Sequence, residues 1–201
     1  MYNLPERTLV NKQLPKTAVY KKFNLSAADK AKFDADVSRL EISAEISPAT
    51  VSVAPGENVS SIFAIRVLLK KQDFDEKNIT MISKLIDQKL VLVLVYESKA
   101  RLAIFYKKLF MTEWQSESDI SLPIQGLNLD IVYHNMIMQI GRIHIENNNT
   151  LLEQIAEDER KAKLLKEIER LEKLARKEKQ PRKKFELHQK IYKMKKLFSE
   201  Y

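Results

Sequence analysis

The stretch LLKEIERLEKLARKEKQPRKKFELHQKIYKMKKLF, residues 164–198, carries the most informative spacing in the chain. Leu164, Ile168, Leu171 and Ala175 recur at intervals of four, three and four, and Leu187, Ile191, Met194 and Phe198 repeat those intervals beyond Pro181. Apolar residues alternating four and three apart form one stripe on a helix, the seam of a coiled coil. Pro181 interrupts the pattern, because proline lacks an N–H and disfavours helical geometry in the residue before it. Each stripe alone would leave apolar side chains in water, so two matched stripes joined by a short breaker imply helices folded back on each other. The spacing predicts an antiparallel hairpin, its first helix covering about residues 151–179, with Asn149 or Thr150 as the N-cap.

Charge is distributed unevenly around this feature. Residues 158–201 hold 16 Lys or Arg against 8 Asp or Glu, whereas the remainder has 19 of each, so the net charge of +8 lies on the tail. A segregated positive region is the electrostatic footprint expected for nucleic acid or another polyanion. The plainer alternative is a solvated helical face whose lysines keep the hairpin soluble. The densest run is Arg176, Lys177, Lys179, Arg182, Lys183 and Lys184, at the expected hairpin tip. Such side chains contact phosphates without reading sequence, and binding through them weakens steeply with salt. Phe185 and Tyr192 lie among these residues and could either stack on bases or help close the hairpin.

Working back toward the N-terminus, Asn147, Asn148, Asn149 and Thr150 read as a linker. Before it, Leu129, Val132, Tyr133, Met136, Ile137 and Ile140 mark an amphipathic helix ending near Gly141. The apolar run 90–96 has strand length, 97–99 reads as a turn, and 101–110 as a strand pairing back. Ile79, Ile82, Leu85 and Ile86 define a short helix, and residues 59–71 form a strand apolar on both faces, hence central. Alternation over 41–46 resumes at Val51 and Val53 before the Pro55-Gly56 turn. Ser26 and Asp29 offer a cap for a helix over about 27–40, whose apolar positions are Phe33, Val37 and Leu40. Residues 1–25, with Pro5 and Pro15, read as an extended arm with at most one short strand or helical turn. The expected fold class is α+β: a small, mostly antiparallel sheet with flanking helices in a core domain of 26–146, the arm before it, and the basic hairpin over 147–201.

Several chemistries are excluded by composition. The chain has no cysteine, which removes thiolate zinc sites, disulfides and a cysteine nucleophile. His134, His144 and His188 are too scattered for a metal cluster. Three glycines cannot build a phosphate-cradling loop, and neither a Gly-x-Ser-x-Gly elbow nor a His-Glu-x-x-His pair occurs. No apolar run approaches the roughly 20 residues of a membrane span, and the N-terminus lacks the apolar centre of a signal peptide. A cytoplasmic chain with no membrane partner and no cofactor is expected.

One enzymatic motif remains. Glu97-Ser98-Lys99 follows a hydrophobic strand, with Asp73, Asp75 and Asp87 upstream. An acid, one spacer and a lysine at a strand end is the arrangement by which nucleases of restriction-endonuclease type set a metal-binding carboxylate beside a charge-stabilising lysine, using Mg2+ or Mn2+. A polar hairpin turn requires the same residue types. No second acid is fixed by spacing.

Tyr2-Asn3-Leu4-Pro5, Leu14-Pro15-Lys16, Val37-Ser38-Arg39-Leu40-Glu41-Ile42, Leu69-Lys70 and Lys179-Gln180-Pro181-Arg182-Lys183-Lys184-Phe185-Glu186-Leu187 together resemble the prokaryotic family called domain of unknown function 4391. The resemblance covers nearly the whole chain and implies an α+β domain followed by a charged helical tail. It also implies encoding beside helicases and DNA methyltransferases of restriction or antiphage type, and assigns no catalytic residue. Ser60-Ser61 departs from the family pattern, in which an acid often precedes the central strand. The resulting expectation is a non-enzymatic accessory or scaffolding subunit of a DNA-processing, restriction or defence assembly. Its partners would be larger helicase or methyltransferase-type proteins, DNA or RNA, with oligomerisation through the hairpin left open. The alternatives are the metal-dependent nuclease and a coiled-coil adaptor.

Overall fold

A computed structural model describes residues 1–146 and 149–199. Asn147 and Asn148, at the start of the expected linker, and residues 200–201 of the expected hairpin lie outside the described residues. The chain divides into two compact units, Met1–Arg142 and a second beginning at Ile143.

In the first unit, strands β1 (Leu9–Leu14), β2 (Val37–Ile46), β3 (Ile62–Leu69), β4 (Lys89–Tyr96), β5 (Lys99–Tyr106) and β6 (Lys108–Met111) lie in that order across one sheet. A short β7 (Gln115–Ser116) pairs with β5 beside β6. Every pairing is antiparallel except β3 with β4, which run parallel. Parallel neighbours need a crossover. Here it contains helix α3 (Glu76–Ile82).

Pleating sends alternate side chains to opposite faces. Ile65, Val67 and Leu69 of β3 and Leu90, Leu92 and Leu94 of β4 join one buried cluster with Ile79 and Ile82 of α3. Val19 of helix α1 (Lys16–Lys22) and Phe33 of helix α2 (Ala27–Asp36) also join that cluster. Val91, Val93 and Val95 point the other way and are also buried. Helix α4 (Leu129–Gly141) supplies apolar cover there: its buried residues are Leu129, Val132, Tyr133, Met136, Ile137 and Ile140, and the Lys89 ammonium sits 5.7 Å from the Tyr133 ring centre. Burial on both faces explains why β3 and β4 read as continuous apolar runs.

Four local features differ from the sequence reading. Helix α2 ends at Asp36, so Val37 and Leu40 belong to β2, not to a helix reaching residue 40. Their three-residue spacing comes from a register shift between Val37 and Arg39, where an extra residue turns the strand so that both side chains face inward. Val51 and Val53 form no strand; beyond them an isolated bridge joins Ala54 to Asn128, the N-cap of α4. The strand expected over 101–110 folds in two at Lys107, which takes a left-handed φ of 62°. Within the arm expected over 1–25, Leu9–Leu14 is the edge strand of the sheet and Lys16–Lys22 a helix. Main-chain pairing with β2 satisfies backbone groups that an arm in water would leave hydrated.

Gly56 shows why the Pro55-Gly56 turn has that residue. The Asp130 carboxylate accepts from the Glu57 and Asn58 N–H groups at 2.7 and 3.2 Å, and a Cβ on Gly56 would collide with it. Glycine is the residue that permits so close an approach.

The second unit contains helices α5 (Leu151–Lys177) and α6 (Pro181–Ser199), joined by residues 178–180. Thr150 is the N-cap of α5. It accepts from the Glu153 N–H, and the Glu153 carboxylate accepts from the Thr150 N–H, a reciprocal capping box. Ile168, Leu171, Ala175 and Ile191 form a buried cluster flanked by Leu164, Leu187 and Met194. Seven of the eight seam positions thus meet as the spacing implied. Phe198, the eighth, is 38% exposed and outside the cluster.

Candidate interaction surface on the basic hairpin

The tail's charge is not shared equally between its helices. Helix α5 carries eight Lys or Arg against seven Asp or Glu, whereas α6 carries seven against one. Carboxylates on α5 offset their neighbours: Glu167 accepts two bonds from the Arg170 guanidinium, and Glu157 pairs with Lys161. Glu172 reaches across to Lys195 of α6 at 2.7 Å, a hydrogen bond that holds its carboxyl below the usual carboxylate range. Arg182 pairs with Glu186, the one acid on α6, at 3.4 Å. Lys183, Lys184, Lys190 and Lys193 form no ion pair among the described residues.

The six cations singled out from the sequence, Arg176, Lys177, Lys179, Arg182, Lys183 and Lys184, are all exposed and gather where α5 ends and α6 begins. Arg176 and Lys177 occupy the last turn of α5, where the helix dipole favours positive charge. Arg182, Lys183 and Lys184 occupy the first turn of α6, where it disfavours it. A bound anion would relieve that repulsion.

Two grooves follow the seam. One, of about 400 Å³, is lined by Glu172, Ala175, Arg176, Lys184, His188, Ile191 and Lys195. The other, of about 460 Å³, is lined by Lys177, Lys183 and Lys190 with Glu178 and Glu186, beside Leu174 and Leu187. Lys190, Lys193, Lys195 and His188 were not among the residues chosen from sequence. The signal that finds the three lysines is the charge count taken over α6 alone rather than over the whole tail. Phe185 and Tyr192 are 63% and 73% exposed and lie outside the seam cluster, so neither closes the hairpin.

The nuclease candidates are placed differently. Glu97 and Lys99 flank the tight turn from β4 to β5, both exposed, with Glu97 in a left-handed conformation at φ 53°. The Glu97 carboxylate accepts from the Tyr96 hydroxyl and pushes that phenol's pKa up. Asp87 precedes β4, fully exposed at its side chain and paired with Lys22 at 3.3 Å. Eight extended residues separate it from Glu97, which at a strand rise of 3.3 Å per residue is on the order of 25 Å. One metal ion cannot be held by both. Among the described residues no three His, Cys, Asp or Glu side chains converge as metal ligands.

Residues 2–197 match the family described as a domain of unknown function, DUF4391. The chain belongs to that family. No curated protein and no solved structure matches it. In this DUF4391 chain the match spans the sheet unit and nearly all of the hairpin. Among its described residues, no helix is long and apolar enough to cross a membrane.

Proposed function

We propose that the hairpin is a phosphate-binding arm, and that the chain is a non-enzymatic accessory subunit holding a DNA-processing or defence assembly on nucleic acid. The observation that carries this reading is the seven-to-one excess of basic residues on α6, four of them without an ion pair among the described residues. An unneutralised cationic helix attracts a polyanion by releasing its condensed counterions. Larger helicase or methyltransferase-type proteins are the partners that the family resemblance suggests for such a subunit. Asp87 and Glu97 lie at opposite ends of β4, which favours an arm that binds over a site that cuts.

The test is fluorescence anisotropy with a labelled oligonucleotide from 50 to about 300 mM salt, on the whole chain and on a variant with Arg182, Lys183 and Lys184 replaced by glutamine. Binding whose logarithm falls linearly with the logarithm of salt supports the reading, with a shallower slope in the variant. Absence of binding, or an unchanged slope, overturns it. Stable capture of a protein partner without nucleic acid would favour the adaptor instead.

A further inference from the structure

Phe185 and Tyr192 are large aromatic side chains placed in water on a helix that carries seven Lys or Arg. Neither contributes to the seam, whose buried members are Ile168, Leu171, Ala175 and Ile191. Seven residues separate them. At about 100° and 1.5 Å per residue they share one face of α6, offset by about 20° around the axis and about 10 Å along it. Arg182, Gln189 and Lys193 fall on the same side of the helix by the same rotation. A shallow groove of about 450 Å³ beside Tyr192 is lined by His188, Gln189, Tyr192 and Lys193. His188 also lines the groove that contains Arg176, Lys184 and Lys195. A path therefore runs from clustered cations, past His188, to an exposed phenol ring.

We infer that this surface takes single-stranded nucleic acid, with phosphates along the cationic groove and unstacked bases on the Tyr192 and Phe185 rings. This rests on the phosphate-binding reading and adds the form of the ligand. In a duplex the base faces are stacked on one another and unavailable to a side chain, so a double strand gains only the phosphate contacts. A single strand presents both phosphate and base face, and stacking on an aromatic ring is tolerant of sequence. A wholly electrostatic surface would need only the lysines. The two exposed rings in line with them are what a base-stacking surface adds.

The experiment uses the full chain with labelled oligo-dT and a duplex of equal length at the same salt, comparing the parent with Tyr192→Ala, Phe185→Ala and Tyr192→Trp. The expected result is tighter binding of the single strand, an approximately tenfold loss for Tyr192→Ala and a smaller one for Phe185→Ala. Tyr192→Trp should retain affinity and its added fluorescence should be quenched by oligo-dT. Unchanged helix content by circular dichroism checks that the hairpin is intact. Equal affinity for single strand and duplex, with both alanine variants binding as the parent does, overturns the stacking inference and leaves the phosphate reading standing. No binding of either ligand overturns both.

Discussion

The sheet unit and the hairpin use charge in opposite ways. In the sheet unit, Asp36 is only 3% exposed, yet its carboxylate accepts from the Asp75 N–H at 2.9 Å and the Asn78 amide at 2.7 Å, and pairs with Lys71 at 2.8 Å. Arg66 likewise gives two bonds to Glu117 and lies 3.7 Å from Glu41. In the hairpin, α6 leaves four lysines without an ion pair among the described residues. A buried charge must be satisfied or the fold loses several kcal/mol, whereas an exposed one costs little. The lesson is that the charges of Asp36 and Arg66 fix structure in the first unit, while charge on α6 is available to a ligand.

The largest expected effect lies in the sheet. Leu92→Ala empties a fully buried position on β4 and should cost about 3 kcal/mol, measured by urea denaturation. Ile191→Ala in the narrower hairpin seam should cost less, nearer about 2 kcal/mol. Equal losses would break the contrast between a deep core and a thin one.

Asp36→Ala comes next. It removes the acceptor for the buried Asn78 amide and the Asp75 N–H, and should cost about 2 kcal/mol. The pH dependence sharpens the attribution. Burial pushes the Asp36 carboxyl up, but the bonds from Lys71, Asp75 and Asn78 outweigh it and hold the pKa below its ordinary value. A depressed folded-state pKa means that the stabilisation is present above about pH 4, the range of an unfolded carboxylate, and is lost as pH falls through the folded value. Asp36→Ala should therefore flatten the acid limb of a stability profile. A limb of unchanged steepness would assign acid sensitivity to other carboxylates.

Thr150→Ala removes half of the α5 capping box and should cost about 1 kcal/mol, seen as reduced helix content or an earlier melting transition. The smallest effect on stability belongs to the surface proposed for function. Replacing Arg182, Lys183 and Lys184 with glutamine should change stability by no more than about 0.5 kcal/mol, since all three are exposed. It should still lower the salt slope of oligonucleotide binding by about 2 to 3. A large stability loss would show that these charges hold the hairpin together.

Much of the hairpin was legible because its information is local. The intervals from Leu164 to Ala175 and from Leu187 to Met194 specify a stripe through helical geometry alone, and Pro181 marks the turn between them. The cap at Ser26 was legible for the same reason: its hydroxyl accepts from the Asp29 N–H three residues on. The sheet was less so. Val37 and Leu40 imitated a helix because a bulge changed the strand's period, and a bulge exists only against its partner strand. The candidate sites divided along the same line. The six tip cations could be chosen from a contiguous run, but the separation of Asp87 from Glu97 depends on β4 being fully extended between them.

By itself, the sequence determined the paired helices, the basic character of α6 and the presence of apolar strands, since each depends on the spacing or count of nearby residues. Tertiary structure decided that Leu9–Leu14 becomes a sheet edge, that β3 and β4 run parallel, and that Lys107 folds one expected strand into two. It also decided which cations share a groove with His188 and that Phe185 and Tyr192 face solvent. The reason is that strand pairing and groove formation draw their free energy from residues far apart in the chain, and no local period encodes which distant partner will be met.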